Sequence, residues 1–308
     1  MKVAIIDMGT NTFHLMIVKV VGSGFEVIKK VRESVKIGAG GINKGLIIKE
    51  AEERGLKALE KFKEIITEHE VDRTFATATS AIRNASNGAE IAKRFESQTG
   101  IAIEIISGLE EAESIYLGVK QALDLGRECS LIMDIGGGSI EFILANQDEI
   151  FWMQSFEIGG QRMLEKFNQF DPISLSEIRD ELQYLDGNLE ALYEQVAIHQ
   201  PKTLVGSSGT FDTLSDIYQN RVGLTKDEKA TEYPLSVDGF REIHNELIMK
   251  NRAERMEIPG MIEMRVEMIV VASVLVDHMI KRCEIEKMRV SAYALKEGTL
   301  FKKLSTIS

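Results

Sequence analysis

A short pattern that occurs twice constrains this chain more than anything else in it. Within CSLIMDIGGGSIEFIL, residues 129–144, an apolar strand-like run at 130–133 is interrupted by Asp134. Gly136, Gly137 and Gly138 then allow a tight turn, and 139–144 resumes a strand. The N-terminus repeats this: 3–6 runs into Asp7, then Gly9, Thr10, Asn11 and Thr12, then a strand over 13–20. Laid over one another, Asp7 meets Asp134, Gly9 meets Gly136 and Thr12 meets Ser139. Glycines let backbone N–H groups approach an anion closely, and a carboxylate beside them can hold a hydrated cation. A plain glycine hairpin with Asp as turn former explains either copy alone equally well. Two copies favour two similar lobes facing each other across a cleft, each with an anion-binding loop.

At 308 residues the chain is long enough for two domains with sizeable cores. Its 44% apolar and 28% charged residues exclude disordered and collagen-like classes. Met1-Lys2 leads straight into a strand, so no signal peptide is expected. The most apolar late run, 269–276, is too short to span a bilayer. A cytoplasmic protein without membrane contact is therefore expected. Cys129 and Cys283 lie far apart and read as buried free thiols. A net charge of −11 argues against binding nucleic acid over the whole surface. It also sits awkwardly with a highly anionic ligand, which would need a divalent cation and a local cluster of Lys and Arg.

Periodicity orders the first half as βββαβαβα, with a third strand at 25–36, helices at 49–70, 85–99 and 109–123, and strands at 74–79 and 101–106. From Ser130 the order starts again, with strands to about 157, helices over 160–167 and 174–196, a strand at 203–205 and a helix from Thr210. Helices near 237–249 and 260–281, a strand at 287–290 and a last helix from Ala292 complete it. No linker is rich in Pro, Gly or Ser. Two tightly joined lobes are expected, 1–120 and 121–295, with a C-terminal helix at about 296–308 as a candidate to pack back on the first.

Several residues could carry chemistry. Ser107 and Glu110 have capping-box spacing, which occupies Glu110. On a helical wheel Glu111 falls at the edge of the stripe formed by Ala112, Ile115, Val119, Ala122 and Leu123, where a first-turn carboxylate can point into a cleft. Alternation places Ser139, Glu141 and Ile143 on one strand face. Glu141 is then either an acid at the loop mouth or a solvated strand residue, and the first copy carries His14 in that slot. Gly206, Ser207, Ser208, Gly209 and Thr210 follow a strand and open a helix, as an anion loop or a plain N-cap. Among basic residues near these loops, Lys36, Arg83 and Arg162, Arg83 is favoured because it follows a strand end.

As an ordered set, residues 7–11, 78–83, 106–112, 134–139 with Glu141, and 206–210 resemble the exopolyphosphatase and guanosine pentaphosphate phosphatase family, across essentially the whole chain. The resemblance implies an α/β fold of two ribonuclease-H-like lobes, in the superfamily of actin, sugar kinases and heat-shock ATPases, with the active site in the interlobe cleft. It implies Mg²⁺-dependent release of terminal phosphate from inorganic polyphosphate or guanosine pentaphosphate, and a homodimer as a common assembly. By the match Glu111 is the catalytic base, Asp134 and Glu141 hold metal or water, and Arg83 meets the phosphate chain. Asp7 joins Asp134 and Glu141 as a metal ligand. Gly9, Thr10, Asn11, Gly136, Gly137, Gly138, Ser139 and the 206–210 loop bind phosphate. Longer members carry a further C-terminal helical region with an HD-type domain, whereas this chain stops at Ser308, so a reduced grip on long polymers is expected. A sugar-kinase-like phosphotransferase and an actin-like nucleotide-binding module are the alternatives.

Overall fold

A computed structural model describes residues 1–22, 24–227 and 229–307. The chain divides into two compact units: Met1–Glu111 together with the stretch from Lys302 onward, and Ala112–Phe301.

In the first unit β1 (Lys2–Met8), β2 (Thr12–Val21), β3 (Gly24–Ser34), β4 (Arg73–Ala78) and β5 (Ile103–Ile105) form a sheet in the order β3-β2-β1-β4-β5. The first three strands are antiparallel, while β4 runs parallel to β1 and β5 parallel to β4. Alternation sends Ala4, Ile6 and Met8 to the face where α1 (Lys49–Glu68), α2 (Ser80–Asn84) and α3 (Gly88–Thr99) bury Leu59, Phe62, Ile82 and Phe95. Val3, Ile5 and Asp7 therefore take the opposite face. Lys303, near the chain's C-terminal end, pairs with Glu104 at 2.7 Å and lies over the Phe75 ring.

The second unit begins within α4 (Gly108–Ala122) and repeats the plan. Here β6 (Ser130–Ile135), β7 (Ile140–Ala145), β8 (Ile150–Phe156), β9 (Thr203–Ser207), β10 (Glu232–Tyr233) and β11 (Lys287–Ser291) give the order β10-β11-β9-β6-β7-β8. Leu131, Met133, Ile140, Phe142 and Leu144 face a core filled from helices α5 (Gly160–Phe167) to α11 (Met268–Arg282). Register carries the repeat down to single residues. Asp7 pairs with His14 on β2 and Thr77 on β4. Asp134 pairs with Glu141 on β7 and Ser207 on β9. Both sheets share three antiparallel strands continued by two parallel ones, the plan of a ribonuclease-H-like lobe, with β10 added antiparallel at the edge of the second.

Periodicity does not predict the short α2 and β10, and three helices differ from its reading. The helix expected over 174–196 is two, α6 (Leu175–Asn188) and α7 (Glu190–His199), because Leu189 leaves helical backbone after the weak helix formers Gly187 and Asn188. The helix expected over 260–281 starts only at Met268. Upstream, α8 (Ser208–Arg221), α9 (Val237–Met249) and α10 (Arg252–Met256) end at Pro259-Gly260, where Gly260 has φ +96° and redirects the chain through turns. The last helix, α12 (Leu295–Ile307), begins three residues later than expected.

Burial pushes the Cys129 thiol up to about 11 and Cys283 to about 12, and neither forms a disulfide. Among the described residues no helix is long and apolar enough to cross a membrane. Glu181 on α6 is fully buried, and neither carboxyl oxygen meets a hydrogen-bond partner among the described residues. Burial therefore raises its pKa well above the ordinary range. With the folded pKa above the unfolded one, its contribution is fully present at acid pH. It is lost as pH rises from the ordinary carboxyl range through the folded value, at about 1.4 kcal/mol per pH unit. Glu181→Gln, neutral throughout, should match the wild type in urea unfolding at acid pH and exceed it at neutral to alkaline pH. Equal stability across the range would show that Glu181 is ionised or solvated.

Candidate active site

In the first unit the loop after β1 is shaped by its own backbone. Gly9 N–H donates to Thr12 O at 3.2 Å, while Lys36 and Gly38 N–H groups take the carbonyls of Asn11 at 2.8 Å and Thr10 at 3.2 Å. With those carbonyls held by the chain beyond β3, the Thr10 N–H meets no acceptor among the described residues. At the start of α4, Ser107 and Glu110 close a reciprocal capping box: Glu110 N–H donates to Ser107 Oγ at 3.2 Å and Ser107 N–H to Glu110 Oε2 at 2.8 Å. The Ser107 backbone bond holds the Glu110 carboxyl below its ordinary value. That box leaves the next carboxylate for other work. Glu111 is 7% exposed, and its Oε2 accepts from Arg83 Nη1 at 2.8 Å. Arg83, expected on a loop after the strand, instead lies in the last turn of α2, and it also donates to Ile106 O at 3.1 Å. Two residues singled out separately in the sequence, one as base and one as phosphate ligand, thus form one largely buried ion pair.

In the second unit the glycine loop is built the same way, with Gly136 N–H on Ser139 O at 3.1 Å. The carbonyls of Gly136, Gly137 and Gly138 accept from the N–H groups of Gly160, Gln161 and Gly159, the entry to α5. Arg162 Nε adds a bond to Gly138 O at 2.8 Å, which gives that side chain a loop-holding role. The N–H groups of Gly137, Gly138 and Ser139 meet no acceptor among the described residues, as an anion cradle requires. Asp134 is 5% exposed and its Oδ2 accepts from Ser207 Oγ and Ser208 Oγ, both at 2.6 Å. Burial raises its pKa, against the pull of the two serine hydroxyls and of Lys296 and Arg265. Glu141 lies beside it in register, is buried rather than solvated, and accepts from Ser155 Oγ at 2.6 Å. Ser208 opens α8 at φ +68°, an unusual backbone state for a residue with a side chain, and the first N–H groups of α8 lack helical acceptors. The Thr210 hydroxyl there is buried and has no hydrogen-bond partner among the described residues.

Sequence reasoning missed three residues at this loop. Gly209 is bare where the Arg265 guanidinium lies across it, and a side-chain carbon there would overlap that group. Lys296 and Arg265 both act on Asp134 and on Asp212, whose carboxyl burial pushes up to about 6. They supply the local cations that net charge alone could not reveal. Arg265 lay inside a stretch read as helix, and no motif marks Lys296 or Asp212.

These residues fit a hard divalent cation. Among the described residues no group of three or more Asp, Glu, His or Cys side chains is placed so as to hold a metal ion. Asp134 and Glu141 are nevertheless two buried carboxylates on adjacent strands, each tied to hydroxyls on one oxygen. Mg²⁺ is commonly held in this way, by one or two carboxylates with water and phosphate oxygens completing the shell.

Two units that share one sheet plan, each with an Asp beside a loop carrying unpaired N–H groups, define an α/β protein whose loops suit an anion. The chain belongs to the Ppx/GppA phosphatase family, whose sequence model matches residues 16–307. It is 41% identical to a solved exopolyphosphatase from Cytophaga hutchinsonii, with a TM-score of 0.96 over 100% of this chain and 99% of that one. The Aquifex aeolicus PPX-GPPA enzyme, 24% identical with a TM-score of 0.79 over 98% and 99% of the two chains, shares the fold. A guanosine-5'-triphosphate,3'-diphosphate pyrophosphatase from Aeromonas salmonicida is 29% identical over 300 residues, 97% of this chain. The chain spans 58% of that relative's length.

Proposed function

We propose that this protein is a Mg²⁺-dependent hydrolase that releases terminal phosphate from inorganic polyphosphate. Guanosine pentaphosphate is the second substrate in this reading, favoured by the name of the Aeromonas salmonicida relative. The observation that carries the proposal is the buried Glu111 carboxylate, freed from capping by Glu110 and aimed by Arg83. Phosphoanhydride hydrolysis needs a positioned water and charge neutralisation more than covalent help.

Arg83 meets the terminal phosphate and holds the Glu111 carboxylate by the same guanidinium. Glu111 orients a water and accepts its proton as the oxygen attacks phosphorus in line; the P–O bond to the rest of the chain breaks and its electron pair leaves with that oxygen. N–H groups of Thr10, of 137–139 and of the first turn of α8 cradle the phosphate oxygens, with Arg265 and Lys296 adding charge, while the N–H groups of Gly9 and Gly136 stay on Thr12 and Ser139 and shape the loops. Asp134 and Glu141 would hold Mg²⁺, with Asp7 as a further candidate ligand. When bound, the ion neutralises the phosphates and the oxygen that departs. Within this reading the protein works in the cytoplasm, without nucleic-acid or membrane partners, and a homodimer is the candidate assembly.

Phosphate release from polyphosphate and guanosine pentaphosphate, measured side by side with and without Mg²⁺, tests the reading. Release from polyphosphate that stops on removal of the ion is the expected result. No release from either substrate with Mg²⁺ present would end it.

A further inference from the structure

One cavity of the second unit lies away from the phosphate loops. It encloses about 360 Å³ between the C-terminal ends of α7 and α11, within the range of about 300–1,000 Å³ usual for small-molecule sites. Lys202, in its lining, immediately precedes β9, whose far end carries Ser207 and the 206–210 loop. Five strand steps of about 3.3 Å put roughly 17 Å between the two.

One wall is apolar and pinned. Val196 and Ala197 lie beside the Tyr193 ring, whose hydroxyl donates to Asp186 Oδ1 at 3.0 Å and shares a 2.9 Å hydrogen bond with His278 Nε2. Arg282 lies over that ring, 4.8 Å from its centre. Of the five residues other than glycine with positive φ among the described residues, Gln200 at +45° and Glu284 at +50° both line this cavity. Each follows a helix end, where glycine would adopt the left-handed backbone at least cost. Side chains kept there give the cavity an amide and a carboxylate instead, and strain of this kind gathers at functional sites.

The charges leave one group uncommitted. Lys202 Nζ pairs with Glu284 at 3.3 Å and Glu286 at 3.4 Å, so the acid in the lining already has its cation. Lys281 takes Asp277 at 2.6 Å. Arg282 is exposed and has no carboxylate within ion-pair distance among the described residues.

We propose that this cavity binds a small organic carboxylate, with Arg282 taking its two oxygens and Tyr193, Val196 and Ala197 taking its apolar body. A guanidinium held over a ring keeps its planar N–H edge for a bidentate acceptor. A single negative charge suits the site. A polyphosphate does not, because Glu284 and Glu286 stand beside Lys202 and repel further anions. The proposal uses none of the phosphate loops and does not depend on the hydrolase reading.

The probe is phenylacetate, with uncharged phenylacetamide as its matched control, titrated calorimetrically into the full-length protein. Phenylacetate should bind and the amide should not. Arg282→Gln should weaken binding roughly tenfold or more, and Arg282→Lys, which keeps the charge but not the fork, should fall between. Ala197→Trp, at an exposed position of α7, should block the cavity and abolish binding without touching the charges. Excess tripolyphosphate should leave phenylacetate bound, since the phosphate loops lie at the other end of β9. No binding at millimolar probe, equal binding of the amide, an affinity unmoved by Arg282→Gln or by Ala197→Trp, or displacement by tripolyphosphate would each overturn the site.

Discussion

Glu111→Gln is expected to cut phosphate release on the order of a hundredfold or more while leaving the fold intact. Gln has nearly the same shape, and its amide oxygen can still accept from Arg83 Nη1, which now reaches Glu111 Oε2 at 2.8 Å. The capping box of α4 uses Ser107 and Glu110, so the helix start does not depend on the change. What disappears is the charge that, in the proposed mechanism, draws a proton from water. Single-turnover phosphate release measured beside thermal unfolding separates chemistry from folding. A variant with unaltered melting and wild-type release would show that Glu111 is not the base. The Arg83 pair adds a further expectation: Arg83→Ala should weaken substrate binding as well as turnover, because the guanidinium serves both partners.

The largest effect on stability is expected where α4 and α12 cross. A side-chain carbon at Gly298 would overlap the Ser114 carbonyl, and one at Gly118 would overlap that of Ala294. Both obstacles are backbone, which cannot turn aside as a side chain can. Gly298→Ala must force the helices apart, at a cost of about 3 kcal/mol or more, the upper range for overpacking. Gly187→Ala supplies the contrast: Gly187 lies in α6 with nothing within 4 Å of an added carbon. There the same substitution should stabilise by up to about 1 kcal/mol through helix propensity and a less flexible unfolded chain. Urea unfolding of the two variants should give shifts of opposite sign. A neutral Gly298→Ala would mean that the crossing is looser than its geometry.

Much of the site's local arrangement was legible before any coordinates. Alternation alone put Glu141 on the face of Ser139 and away from Phe142, and the buried core confirms Phe142 as its opposite. Capping-box spacing identified which of two adjacent glutamates was occupied. The twofold recurrence of strand, Asp and small-residue turn anticipated equal strand registers at Asp7 and Asp134. These signals survive in the chain because they depend on neighbours within a few residues. The break at Leu189 and the turns around Gly260 were not legible, since apolar spacing continues through both while backbone angles do not.

What the linear chain determined by itself was therefore the repeat, the element order and the acids beside the glycine loops, all governed by short-range periodicity and turn chemistry. Tertiary structure alone decided that Arg83 grips Glu111, that Arg265 lies across Gly209, and that Lys296 acts on Asp134. Charges separated by 28 to more than a hundred residues interact only after strands and helices have been packed, because Coulomb forces depend on distance in space and on the burial that removes water from between them.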